Sequence, residues 1–287
     1  MKPAPLGYHR ATSVAHAVHL LSCYEGTARV LAGGQSLVPM LSMRLIQPDA
    51  LVDVNGLAEL ARIHPAGEAT VLGALVRYTA IEESALIAER LGLLARMVRH
   101  VGDRQVRNRG TIGGSLAQGD PTGEIPLACL VLGASVTATG PNGRRELPVA
   151  DLYLGSYATV LGPCEVLTEV VFPRAPAHFA FAEQCRRHND FAVVSAAAVA
   201  DRGPDGRWTG VRVALGGVAD QPVLAARAGA VASGCRLTDE VIAAAAEAAL
   251  EVADPPSDVR ASADYRRHLV PIYVRRVLTE LRCSAEA

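Results

Sequence analysis

Gln105-Val106-Arg107-Asn108-Arg109-Gly110-Thr111-Ile112-Gly113-Gly114-Ser115 is the stretch whose reading decides this chain, and it has an earlier counterpart in Ala32-Gly33-Gly34-Gln35-Ser36. A Gly-Gly pair lets backbone N–H groups crowd together with no Cβ in the way. A small hydroxyl residue beside such a pair caps a helix, and a helix N-terminus favours anions. Either pair alone is also what a plain turn looks like. Two such loops with matching hydroxyl exits suggest a ligand carrying two phosphates and held from both sides. Ser36, Thr111 and Ser115 hydroxyls then add to the amide donors.

Two commoner phosphate sites are excluded. No pair of glycines is spaced G-x-G, so the dinucleotide fingerprint of a Rossmann fold is missing. Lys2 is the sole lysine, which removes the P-loop lysine and any internal Schiff-base lysine. What is left is a non-Rossmann dinucleotide site built largely from backbone dipoles.

The chain has 287 residues, 50% of them hydrophobic, enough for a sizeable core. A net charge of −1 argues against nucleic acid. No apolar run approaches the ~20 residues of a membrane span, and the first residues lack the apolar core of a signal peptide. A cytoplasmic location is expected. The cysteines Cys23, Cys129, Cys164, Cys185, Cys235 and Cys283 contain no C-x-x-C pair, so neither zinc nor an iron–sulfur cluster is expected here.

Working outward, Thr12 is expected to cap a helix over 13–23, and 28–32 reads as a buried strand leading into the first glycine turn. Ser36 then starts a helix over 37–45, and 51–54 is a strand. Residues 61–64 and 70–75 suggest a hairpin, Thr79 a helix cap, and 86–100 one long amphipathic helix. Residues 124–132 form an apolar helix with Glu124 and Pro126 in its first turn. Residues 135–139 lead into the Pro141-Asn142-Gly143 turn, and 166–172 is a closing strand. Pro173-Arg174-Ala175-Pro176 reads as a linker. Beyond it come three strands (178–184, 191–200, 208–216) and three helices (225–233, 239–252, 262–283), an α+β pattern.

The motifs AGGQSL (32–37), QVRNRGTIGGSLAQGDPTGEIP (105–126), EVLTEVVFP (165–173), RRHNDFAVVSAAA (186–198) and YRRHL (265–269) resemble the flavin subunit of molybdenum hydroxylases. The likeness is to the medium subunit of the aerobic carbon monoxide dehydrogenase type and to the FAD domain of xanthine dehydrogenase, over nearly the whole chain. It implies an α+β fold with a two-lobed, non-Rossmann FAD-binding domain of the PCMH/VAO-like kind over 1–173, its lobes about 1–56 and 57–173. A C-terminal α+β domain with a three-stranded sheet and helices would span 177–287. It also implies non-covalent FAD contacts at Ala32, Gly33, Gly34, Gln35, Ser36 and Leu37, and at Thr111, Ile112, Gly113, Gly114 and Ser115. An acidic residue, here Glu124, a leucine in the closing strand, here Leu167, and the pair Asp190-Phe191 complete the implied site.

Glu124 read on its own is a first-turn acid, and Leu167 an ordinary strand core residue. Phe191 stands where relatives of the carbon monoxide type carry tyrosine, which keeps a stacking face and loses the hydroxyl. Asn189 replaces a glycine, which suggests a positive φ.

The resemblance further implies an electron-transfer role within a heterotrimer, assembled as a dimer of heterotrimers. A large subunit holds the molybdenum cofactor, a small subunit holds two 2Fe-2S clusters, and this chain passes electrons from its flavin to an external acceptor. No catalytic residue and no metal ligand is expected in this chain. Relatives with an extra cluster carry a cysteine-rich insertion, and here 127–162 contains only Cys129. Two alternatives stand beside this reading. One is a self-sufficient FAD oxidase or dehydrogenase, for which His100 and His188 are candidate flavin tethers. The other is a non-catalytic nucleotide-binding assembly module.

Overall fold

The computed structural model describes residues 2–187 and 189–284. The first lobe is a three-stranded parallel sheet in the order β1-β3-β2, formed by β1 (Gly7–Arg10), β2 (Arg29–Leu31) and β3 (Ala50–Asp53). Helices α1 (Val14–Cys23) and α2 (Leu37–Ser42) connect the strands. On α1, Ala17, Val18 and Leu21 fall on one face and are buried against the sheet. Its cap is Ser13, whose side chain accepts from the His16 N–H, so the expected Thr12 cap is displaced by one residue. Thr12 instead contacts the His16 ring.

The second lobe holds five antiparallel strands in the order β4-β5-β10-β6-β7: β4 (Ile63–Ala66), β5 (Ala69–Gly73), β6 (Ser135–Gly140), β7 (Gly143–Pro148) and β10 (Val166–Phe172). A two-stranded ribbon, β8 (Tyr153–Gly155) and β9 (Ala158–Thr159), lies between β7 and β10 in sequence. Six helices stand between β5 and β6: α3 (Tyr78–Glu83), α4 (Ala85–Arg90), α5 (Gly92–Met97), α6 (Arg104–Arg109), α7 (Ile112–Gln118) and α8 (Glu124–Leu132).

The single helix expected over 86–100 is broken. Leu91 leaves helical geometry at φ −134, ψ 49, and α4 and α5 meet there, followed by a 3₁₀ turn over 98–100. At Gly92 a Cβ would strike the Phe179 ring at 2.6 Å, so this corner is set by close packing against the C-terminal sheet. Thr79 does not cap α3, whose cap position is Arg77. Residues 104–109, read only as an approach to the second glycine loop, form α6, capped by Asp103 through the Val106 N–H.

The C-terminal sheet has the order β11-β12-β13-β14, from β11 (His178–Cys185), β12 (Ala192–Arg202), β13 (Trp208–Gly216) and β14 (Val223–Leu224), backed by α9 (Ala226–Ala232), α10 (Asp239–Ala248) and α11 (Ala263–Cys283). The expected three strands are present, and the two-residue β14 adds a fourth along β13.

Residues 192–200 of β12 are all buried, because α11 covers one face and α8 the other. Ala197 and Val199 join the core of the second lobe, while Ala196, Ala198 and Ala200 join the core under α11. The salt bridge of Arg96 with Glu280 and the bond from Arg96 Nη2 to the Phe181 carbonyl (2.9 Å) tie α5 to α11 and β11. Among the described residues no helix is long and apolar enough to cross a membrane.

Candidate functional site

The two glycine loops touch. Gly33 follows β2, and a Cβ placed on it would collide with the Arg109 carbonyl and reach the Gly110 Cα at 3.0 Å. Only glycine permits that approach. Gly34 has φ +72, in the left-handed region. Two side chains bond the loops together. Asn55, just past β3, donates from Nδ2 to the carbonyls of Ala32 (2.9 Å) and Leu31 (3.3 Å). Its Oδ1 accepts from Arg77 Nη2 at 2.5 Å, and Arg77 Nη1 donates to the Arg109 carbonyl. Burial, then the nearby Arg109 charge, lowers the Arg77 pKa.

Asp53 anchors this arrangement. Its Oδ1 accepts from the Asn55 backbone (2.8 Å) and Nδ2 (2.6 Å), and its Oδ2 from the Tyr8 hydroxyl (2.5 Å). Burial pushes the Asp53 carboxyl upward, but these hydrogen bonds outweigh it and hold it below the ordinary range. A cavity of about 540 Å³ opens beside the loops, lined among others by Tyr8, Ala32–Gln35, Val38, Pro39 and Arg109.

The loops differ in what their amides do. Gly33, Gly34, Gln35 and Ser36 donate their N–H groups to no acceptor among the described residues. These are four adjacent donors, of which Gly33, Gly34 and Gln35 belong to residues lining the cavity. Ser36 occupies the cap position of α2 but makes no side-chain cap bond, which leaves its hydroxyl free as well. In the second loop, Ile112 and Gly113 donate to the carbonyls of Val76 (3.1 Å) and Ala74 (2.9 Å). Gly114 donates to Thr111 Oγ1 (3.1 Å) and Ser115 to the Thr111 carbonyl (3.0 Å).

Thr111, ahead of the pair, is therefore the cap of α7, and the glycines lie inside its first turn. Ser115 is not a cap. Both loops were expected to aim N–H donors at a diphosphate; those of the first loop are unengaged, whereas those of the second are engaged internally. At Gly113 a Cβ would meet the Ala74 Cβ at 2.5 Å, so this glycine serves packing. At Gly114 a Cβ would meet only its own cap oxygen, Thr111 Oγ1, at 2.7 Å.

The remaining site residues are spread along a path from α7 to the C-terminal domain. Leu167, on β10, is buried in the large core. Glu124 opens α8 and is buried, and burial foremost, then the charges of Glu183 and Asp120, pushes its carboxyl up to about 8. Asp190 Oδ1 accepts from the Phe191 N–H (2.8 Å), closing the turn before β12. Phe191 is half exposed under the Arg260 guanidinium, 4.7 Å from its ring centre. Asn189 has φ +62, as the glycine-like position suggested. His100 bonds Glu183, and His188 lies outside the described residues.

Sequence reasoning missed Tyr8, Asp53, Asn55, Arg77 and Arg109. Asn55-Gly56 after a strand and Arg109-Gly110 before the loop were visible turn signals, but only the tertiary approach gives them partners.

For FAD the fit lies in the first loop. Four unengaged amides, the Ser36 hydroxyl and the Arg109 side chain beside a cavity suit a diphosphate. Tyr8, Val38 and Pro39 give that cavity an aromatic and apolar wall.

Comparison with known proteins agrees with this geometry. Residues 4–175 match the family described as the FAD binding domain in molybdopterin dehydrogenase, and residues 179–281 match the CO dehydrogenase flavoprotein C-terminal domain. The subunit alpha of the 6-hydroxypseudooxynicotine dehydrogenase complex of Paenarthrobacter nicotinovorans is 36% identical over 98% of this chain and 95% of its own length. Carbon monoxide dehydrogenase from Hydrogenophaga pseudoflava superposes with a TM-score of 0.95 at 37% identity, covering 98% of each chain. Quinoline 2-oxidoreductase from Pseudomonas putida 86 does so with a TM-score of 0.95 at 35% identity over the whole of both chains. The chain belongs to the family of FAD-binding domains in molybdopterin dehydrogenases, joined to a CO dehydrogenase flavoprotein C-terminal domain.

Proposed function

We propose that this chain holds FAD non-covalently and is the electron-transfer subunit of a molybdenum hydroxylase. In that complex a small subunit with 2Fe-2S clusters supplies electrons, a large subunit holds the molybdenum cofactor and oxidises the substrate, and the flavin passes the electrons to an external acceptor. The carrying observation is the row of unengaged amides at Gly33–Ser36, pinned against the second loop by Asn55 and Arg77. Relatives named as medium chains or subunits of dehydrogenase complexes support the assembly.

When bound, FAD supplies the redox chemistry, and the chain positions it and sets its surroundings. Gly33–Ser36 and Arg109 would take the diphosphate, with Thr111–Ser115 as the shaped floor. Leu167, Glu124, Asp190 and Phe191 would line the side toward the C-terminal domain. The functional units are 1–173 and 177–287, a dimer of heterotrimers is the assembly, and the cytoplasm is the compartment. The external acceptor and the hydroxylated substrate are set outside these residues.

The test is purification of the chain with its neighbouring gene products. A yellow chain releasing FAD on denaturation, in a complex containing molybdenum and iron, supports the proposal. A yellow chain that turns over a substrate alone would favour the oxidase reading. A colourless chain would favour the assembly module.

A further inference from the structure

The first lobe builds a strand–turn–helix–strand unit although the Rossmann fingerprint is missing from its sequence. β2 leads into the glycine turn, α2 follows, and β3 returns parallel beside β2. The register sets Asp53, the last residue of β3, directly beside Leu31, the last residue of β2. Asp53 therefore stands at the exit of the strand from which the glycine turn departs. In dinucleotide folds an acidic residue about 20 positions beyond the glycine turn hydrogen-bonds the attached ribose, and Asp53 follows Gly33 at that spacing.

Asp53 and Tyr8 both line the cavity beside the glycine turn, with Leu31, Val38 and Pro39 as apolar neighbours. Asp53 Oδ1 accepts from the Asn55 backbone (2.8 Å) and side chain (2.6 Å). Asp53 Oδ2 accepts one bond, from the Tyr8 hydroxyl at 2.5 Å. A carboxylate has about four acceptor positions, so Oδ2 keeps one. The phenol gives its proton to Asp53, which leaves its own oxygen as an acceptor. Two acceptors thus stand 2.5 Å apart among the cavity-lining groups, close to the separation of hydroxyl oxygens on adjacent ribose carbons.

Burial raises the Asp53 carboxyl, and the bonds from Tyr8 and Asn55 outweigh it, so the group is ionised at neutral pH. A carboxylate next to amides that suit an anion repels that anion unless the same ligand also brings hydroxyl donors. Tyr8 is 57% exposed, so core packing does not account for its ring at this place.

We propose that Asp53 and Tyr8 are specificity-determining residues for the nucleoside end of the dinucleotide, accepting hydrogen bonds from the 2′- and 3′-hydroxyls of its ribose. This rests on the FAD reading above and adds which arm of the cofactor the first lobe takes. The adenosine arm enters the cavity, and the flavin arm leaves past the second loop toward the C-terminal domain. The ribose hydroxyls donate to Asp53 Oδ2 and to the Tyr8 oxygen.

Competition against FAD on the full chain, freed of flavin, tests this with ADP, 2′,3′-dideoxy-ADP and FMN. ADP is expected to displace FAD. The dideoxy nucleotide is expected to bind at least roughly tenfold more weakly than ADP, as loss of hydrogen bonds to a charged acceptor implies. In Asp53→Asn that ratio falls toward one. In Tyr8→Phe, at an exposed position, it falls about threefold, since one neutral acceptor is lost. A merely structural role, through the tie to Asn55, weakens both nucleotides alike and leaves the ratio as it was.

Equal binding of ADP and its dideoxy form to the wild-type chain overturns the proposal, whatever the variants do. An unaltered ratio in both variants also overturns it, as does displacement of FAD by FMN but not by ADP. A folded chain that takes up neither FAD nor ADP overturns the FAD reading instead.

Discussion

The main-chain carbonyl of Arg109 lies against the Cα of Gly33, so closely that a methyl group at Gly33 has no room. Gly33→Ala must therefore push the first loop off the second. The expected outcome is a folded chain that loses most of its FAD, measured by flavin absorbance per polypeptide. Gly114→Ala is the contrast, since its added methyl meets only the Thr111 hydroxyl. It is expected to keep more flavin. A Gly114→Val chain is expected to lose it, because the larger side chain extends toward the candidate diphosphate. Equal flavin in Gly33→Ala and wild type would remove the loop junction from the site.

Asn55 and Arg77 transmit position between the loops. Asn55→Ala leaves the Ala32 carbonyl and one guanidinium nitrogen without partners, a cost of about 1–3 kcal/mol. If this appears as lost preorganisation, FAD binds about 5- to 150-fold more weakly by titration calorimetry. Arg77→Lys should not rescue, because one ammonium cannot reproduce the fork to Asn55 and Arg109.

Thr111 tests the second loop's architecture. Thr111→Ala removes the α7 cap and is expected to cost ~1 kcal/mol, read as a fall of about 2–4 °C in thermal unfolding. Thr111→Ser keeps the oxygen and should restore most of it. Loss in both variants alike would mean that the methyl packing, and not the cap, matters.

Glu124 gives a pH signature to stability. Its folded pKa of about 8 lies above the ordinary 4.5, so it favours the fold fully below 4.5, and that contribution is lost as the pH rises through 8. Denaturant unfolding of wild type should weaken between pH 6 and pH 8.5. In Glu124→Gln that part of the slope should vanish. A slope left unchanged by Glu124→Gln would mean the carboxyl is already ionised in the folded state.

Arg266 is buried, bonding the carbonyls of Val193 (2.5 Å) and Gly217 (3.1 Å) and the Asp258 carboxylate (2.8 Å). Arg266→Ala removes the guanidinium from the two carbonyls and from Asp258 Oδ2, leaves a large void, and is expected to cost about 3–5 kcal/mol in denaturant unfolding. A loss below 1 kcal/mol would show that the Asp258 loop does not depend on it.

The glycine motifs, the closing strand and the C-terminal sheet are legible in the sequence because each is a local pattern. Strand β1 is not, since Gly-Tyr-His-Arg is short and half exposed and becomes a strand only by parallel pairing with β3. The break at Leu91 and Gly92 is set by the Phe179 ring of another domain, which no helical periodicity reports. The different parts played by the two glycine loops were also hidden. Which amides stay free depends on the Ala74 and Val76 carbonyls, residues far away in sequence. Tyr8, Asp53 and Asn55 are ordinary polar residues until β1 and β3 bring them together.

Every residue of α8 is buried, from Glu124 to Leu132, with the second lobe on one side and β12 and β13 on the other. A helix with no wet side belongs to neither neighbour alone. Severing the chain at Pro173 would leave an oily slab facing water on both fragments, so neither half is expected to remain dispersed without the other. Redesigns that exchange the flavin module between complexes should therefore transplant the polypeptide whole.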